Sequence, residues 1–156
     1  MTLSARGSGF DHAPTFNAPR RIWLRSRFSV EDNLRFPCEV IGLARNNVDT
    51  RLRHTLDIVP ELRALLTRPA AGLSGGQGKM AALGRAIMAG DKLVLLDEPF
   101  QGLAPVLAQQ YGESLLRLRQ ARPELCIVVT ESNRSLLKEI PDVTLVLERG
   151  EIRRGG

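Results

Sequence analysis

At 156 residues, with 43% apolar and 25% charged side chains, the chain has the make-up of an ordinary globular protein, long enough to bury roughly two-thirds of the surface it would expose unfolded. It holds no run near the ~18 consecutive apolar residues of a membrane-spanning helix, and its opening MTLSARGSGFDHAPTF lacks the apolar segment of a secretory signal, so a cytosolic location follows by elimination. The net charge of +5 is spread along the chain, which reads as a solvated surface, with no nucleic-acid partner expected.

Residues 1–19 mix Gly, Ser, Pro, Asn and Asp without periodicity and are expected to form a flexible leader. In RRIWLRSRF, Arg20, Arg21, Arg25 and Arg27 interleave with Trp23 and Phe28, the pattern of a surface or protein-contact segment. Ser29, followed by Glu31 and Asp32, predicts a capped helix that Pro37 should stop or kink. Val48, Leu52, Leu56 and Ile58 make the apolar stripe of a second helix, and ELRALL a short third one. After the connector Ala70–Gly72, Ser74 opens a helix with Met80, Leu83 and Ile87 at helical spacing and Gly90 at its end.

LVLL at 93–96 has no polar alternation, which predicts a strand buried on both faces of a parallel sheet. A helix from Pro105 to about Gln120, the strand CIVVT, a short helix over 135–140, the strand VTLVLE, the turn Arg149-Gly150 and a last strand EIRR complete the chain. Strand, helix, strand, helix, strand is the α/β pattern, preceded here by a half that is all helix. Cys38 and Cys126 have no paired spacing and are expected to be buried or inert.

Side chains just past the carboxyl end of a parallel strand project into the crevice where ligands bind, and Asp97 and Glu98 stand there. One acid on Mg²⁺ and a second turned toward an attacking water suits phosphoryl transfer, although such a pair can equally be a turn feature. Ser74, Gly75 and Gly76 at a helix start would offer backbone N–H groups to a phosphate, and a plain helix cap is the alternative.

LSGGQ at 73–77, Arg85 in GRAI and LVLLDEP ending at Pro99 together resemble the signature motif, signature helix and Walker B motif of ATP-binding cassette (ABC) ATPases. FQGLAP at 100–105 resembles their D-loop in the form found in branched-chain amino acid and urea importers, and FSVEDNL and LVLERGEI resemble further segments of the same subunits. The resemblance implies a P-loop NTPase parallel sheet with an α-helical signature subdomain. It divides the chain into a leader at 1–19, a helical subdomain at 20–89 and the C-terminal part of the α/β core at 90–156. It further implies ATP and Mg²⁺ as cofactors, Ser74, Gly75, Gly76 and Gln77 against ATP held by a second ATPase subunit, Asp97 on Mg²⁺, Glu98 as catalytic base and Ser132 at the switch-histidine position. A transmembrane permease is the other implied partner, which would hold the chain on the inner face of the membrane.

The sequence departs from that family at one decisive place. These residues hold no G-x-x-x-x-G-K-S/T phosphate cradle: around Gly78-Lys79, Leu73 stands where the first glycine is required and Met80 where the hydroxyl is. The P-loop strand of the sheet is therefore also expected to be lacking. The chain is expected to hydrolyse no ATP alone and to contribute signature motif and Walker B together with a P-loop-bearing partner. The alternatives are a non-catalytic pseudo-ATPase that regulates by docking, and a degenerate truncated product.

Overall fold

The computed structural model describes residues 24–137 and 140–155. The expected leader and Arg20, Arg21 and Trp23 lie outside them. Four α-helices, α1 (Val30–Val40), α2 (Arg45–Ile58), α3 (Gly75–Ala89) and α4 (Pro105–Ala121), alternate in the second half with strands β1 (Leu93–Asp97), β2 (Cys126–Thr130), β3 (Leu145–Glu148) and β4 (Glu151–Arg154). The segments Pro60–Leu65, Ala70–Gly72 and Arg134–Leu137 are 3-10 turns.

Helix α1 starts as its sequence requires. The Asp32 amide donates to Ser29 Oγ and the Ser29 amide to Asp32 Oδ2, both at 3.1 Å, a reciprocal capping box. Asn33 fastens the entry loop to this helix: its Nδ2 donates to the carbonyls of Arg25, Phe28 and Ser29, and its Oδ1 accepts from the Arg25 amide at 2.7 Å. Pro37 does not end the helix, which runs on to Val40. Val30, Leu34, Pro37 and Cys38 form one buried stripe, and its packing outweighs the single backbone bond that a proline removes.

Helix α3 is the centre of the molecule. Met80, Ala81, Leu83, Gly84, Ile87 and Met88 are all buried, in one core with Leu34 and Cys38 of α1, Leu52 and Leu56 of α2, Leu62 of the 3-10 turn and Leu115 and Leu118 of α4. Arg35 ties α1 to α2 through Asp49 while also pairing with Glu31 at 2.8 Å. Gly84 lets this packing close: a Cβ there would lie 2.5 Å from Leu62 Cδ1 and 3.0 Å from Leu34 Cδ2.

β1 and β2 pair in parallel, Leu93 opposite Cys126 through to Asp97 opposite Thr130, with α4 as the crossover between them. Two expectations need correction here. β1 is buried on one face only: Val94 and Leu96 enter the core, whereas Leu93 and Leu95 are 50% and 45% exposed. The reason is that, among the described residues, the parallel sheet has two strands and core elements on one side of it. β3 does not extend that sheet but forms an antiparallel hairpin with β4. Arg149 and Gly150, at φ 50° and 82°, supply the two left-handed residues of the tight hairpin turn. Cys38 is buried as expected, but Cys126 is exposed on the open face of β2.

The close approach at Gly84 gives a direct test. Gly84→Val should destabilise the chain by about 2 kcal/mol through overpacking against Leu34 and Leu62, read from the midpoint of urea unfolding. An unchanged midpoint would show that the helices have room to spare.

Candidate nucleotide-handling site

The acidic end of the site is built by register. Pairing Asp97 with Thr130 brings the Thr130 hydroxyl 2.6 Å from Asp97 Oδ1, to which it donates. The Glu98 amide donates to the Thr130 carbonyl at 3.0 Å. Glu98 itself takes a left-handed backbone, φ 47°, which for a residue with a Cβ costs of order 1–3 kcal/mol and persists only where the surroundings hold it. Its Oε2 accepts from Ser132 Oγ at 3.3 Å. Asp97, Glu98 and Ser132 are thus brought together.

The turn that follows is pinned from several sides. The Phe100 amide donates to Glu131 Oε1 at 2.8 Å, and the Phe100 ring packs edge-on against the buried Tyr111 of α4, centroids 5.3 Å apart. Burial raises the Tyr111 phenol above its ordinary pKa, with Glu131 adding to the effect. Thr130 and Glu131 were not singled out in the sequence. The signal available was the alignment of the two strand ends, LVLLD with CIVVT, which puts a hydroxyl beside the first acid.

Ser74 to Gln77 stand at the start of α3. Ser74 is the N-cap of a second reciprocal box: the Gln77 amide donates to Ser74 Oγ at 3.3 Å and the Ser74 amide to Gln77 Oε1 at 3.1 Å. The amides of Gly75 and Gly76 lie in the first turn, where a helix offers no internal acceptor. Around Gly75 there is open space for a Cβ, whereas at Gly76 one would sit 2.4 Å from Leu107 Cδ1 of α4. Gly76 therefore lets the turn from Ser74 to Gln77 lie against α4.

The donor chemistry fits one half of a Mg²⁺–nucleotide site. Mg²⁺ in phosphoryl-transfer sites takes one or two carboxylates, with water and phosphate oxygens completing the shell, and the exposed Asp97 at a strand end has the chemistry such a shell requires. Among the described residues no group of three His, Cys, Asp or Glu side chains could hold a metal by itself. No helix among them is long and apolar enough to cross a membrane.

The ABC transporter family profile matches residues 16–101. The chain is 35% identical over 133 residues to the high-affinity branched-chain amino acid transport ATP-binding protein BraG of Pseudomonas aeruginosa, covering 85% of this chain and 54% of that protein. It is 32% identical to the probable branched-chain amino acid transport ATP-binding protein LivF of Archaeoglobus fulgidus over 131 residues, 84% of this chain and 54% of the relative. The chain thus spans about half the length of these relatives. The fold superposes on a putative metal-chelate type ABC transporter in an inward-facing conformation, with a TM-score of 0.69 at 24% identity, over 94% of this chain and 55% of that one. It also superposes on the ADP conformation of an ATP-binding cassette, with a TM-score of 0.64 at 26% identity, over 83% and 56%. By the family match over more than half its length, on a segment that includes the turn from Ser74 to Gln77 and the strand-end acids, the chain belongs to the ABC transporter family.

Proposed function

We propose that the chain is the signature-and-Walker-B portion of an ABC transporter ATP-binding subunit and acts in ATP-driven transport only together with a polypeptide that carries a P-loop. The observation that carries this reading is the open face of the parallel sheet. Leu93, Leu95 and Val128 are 50%, 45% and 45% exposed on a ladder that ends in the Asp97–Thr130 pair. Parallel sheets are ordinarily covered on both faces, so a covering α/β layer laid on that ladder would reach the acids at its end.

In this reading residues 20–89 form the helical subdomain and 90–156 part of the α/β core. Ser74, Gly75, Gly76 and Gln77 meet ATP held by a second ATPase subunit. Asp97, fixed in orientation by Thr130, is the protein ligand of Mg²⁺. Glu98 holds a water as general base, and Ser132 steadies its carboxylate. MgATP, when bound, supplies the phosphoryl group and the metal that screens its charge. The transport partner is a permease, of the branched-chain amino acid or urea importer type, with the chain on the inner face of the membrane. The segment offered to it includes Arg25, whose guanidinium lies 4.1 Å from the Phe36 ring centroid and 5.3 Å from that of Phe28, a stiff cationic and aromatic surface.

One observation favours a second reading. The Ser74 hydroxyl and the Gln77 side chain are engaged with each other's backbone, which suits a module that docks and regulates without touching nucleotide.

ATPase assays separate the two. The chain alone should show no turnover with MgATP. Added to an intact cassette it should raise turnover, and Ser74→Asp should abolish the rise, because aspartate keeps the helix cap while setting a carboxylate against the phosphates. Ser74→Ala is the poorer probe, since losing the cap costs about 1 kcal/mol by itself. Stimulation that survives Ser74→Asp would sink the half-site reading and leave the regulatory one.

A further inference from the structure

Lys79 has no part in the reading above. Its place in the sequence, after a glycine, imitates a phosphate-binding lysine, but its ammonium is engaged elsewhere. Nζ donates to three backbone carbonyls of the turn after β1: Glu98 at 3.0 Å, Pro99 at 3.1 Å and Gln101 at 2.5 Å. An ammonium has three N–H donors and no acceptor, so the three bonds use it completely. Three carbonyl oxygens converging on one point would repel one another without a cation between them, and hydrogen bonds from a charged donor are about twice as strong as neutral ones.

What these bonds hold is the strained residue of the site. Glu98 has a left-handed backbone, fixed on its amide side by Thr130. On its carbonyl side it is fixed by Lys79 and by the Gln101 amide at 3.3 Å. We infer that Lys79 is a positioning residue, which anchors the Glu98–Gln101 turn to α3 and so sets where the Glu98 carboxylate stands relative to the helix that begins at Ser74. Glu131 is the counterpart on the other side, taking the Phe100 amide. The acids and the signature turn then move as one piece.

The charges around Lys79 are Glu131, which follows β2, and Glu98 of the turn. Burial pulls its pKa below the ordinary lysine value, while Glu131 and Glu98 act the other way. Neutral lysine has only two N–H donors, so deprotonation must release one of the three carbonyls.

The catalytic meaning of this anchor rests on the ATPase reading, but its geometry does not, and NMR of the full chain tests the geometry alone. In the wild-type chain the carbonyl carbon resonances of Glu98, Pro99 and Gln101 should move together with Lys79 Nζ as pH rises through its titration. In Lys79→Met the amides of Glu98 and Phe100 should exchange with solvent at least about tenfold faster, as lost bonds to a charged donor require. The core amides of Leu34 and Leu56 should stay protected in that variant, and Lys79→Arg should recover most of the protection at Glu98. Independent carbonyl titration, or unchanged exchange at Glu98 and Phe100, would overturn the inference. So would loss of protection spread equally over Leu34 and Leu56. Where Lys79→Met does not fold, the wild-type titration decides. A failed stimulation assay would remove the half-site reading and leave these spectra untouched.

Discussion

The depth to which α3 sinks into the molecule is the constraint on which the rest depends. Six of its residues, Met80, Ala81, Leu83, Gly84, Ile87 and Met88, are buried, and elements from both halves of the chain pack on them. That depth is possible because Gly84 presents no side chain to Leu34 and Leu62, and Gly76 none to Leu107. Its two ends inherit their positions from it. The N-terminal end presents the Ser74 cap, and the C-terminal end passes through Gly90, where a Cβ would lie 2.5 Å from Val94 Cγ2, directly into β1. The strand-end acids and the Ser74 cap thus stand at opposite ends of one connected path, α3 to β1, and Lys79 closes the path back on itself.

Much of this was legible in the sequence because it is local. The capping box at Ser29, the helix cap at Ser74, the α3 stripe, the proline at the first turn of α4 and the Arg149-Gly150 turn depend on residues within a few positions of each other, and each stands where the sequence put it. What was not legible is tertiary. Pro37 was expected to limit α1, yet burial of Leu34 and Cys38 on either side carries the helix through it. The apolar run of β1 predicted two covered faces, and one is open, because a run of apolar residues records that a strand can be covered and not which residues cover it. β3 was expected beside the parallel strands, but its tight turn to β4 satisfies its pairing locally.

The site divides in the same way. Asp97 and Glu98 stand where β1 ends, as the apolar run before them led one to expect, and Ser132 Oγ donates to Glu98 Oε2 at 3.3 Å. Thr130, Glu131 and Lys79 stayed hidden because each acts through strand register or on a distant backbone amide or carbonyl, which no spacing within the chain reveals. The lysine is the clearest case. By sequence it is a failed phosphate ligand, and by geometry it is a backbone anchor.

The open ladder of β1 and β2 is the feature on which the proposed function rests. It is apolar, it ends in the acids, and it carries its own reporter, since Cys126 is exposed on it while Cys38 is buried. The most direct measurement is the rate at which Cys126 reacts with a maleimide, with and without a P-loop-bearing cassette half. The account predicts ready reaction in the chain alone and strong protection when that half is added, with Cys38 unreactive in both. Equal reactivity of Cys126 in the two samples would contradict it.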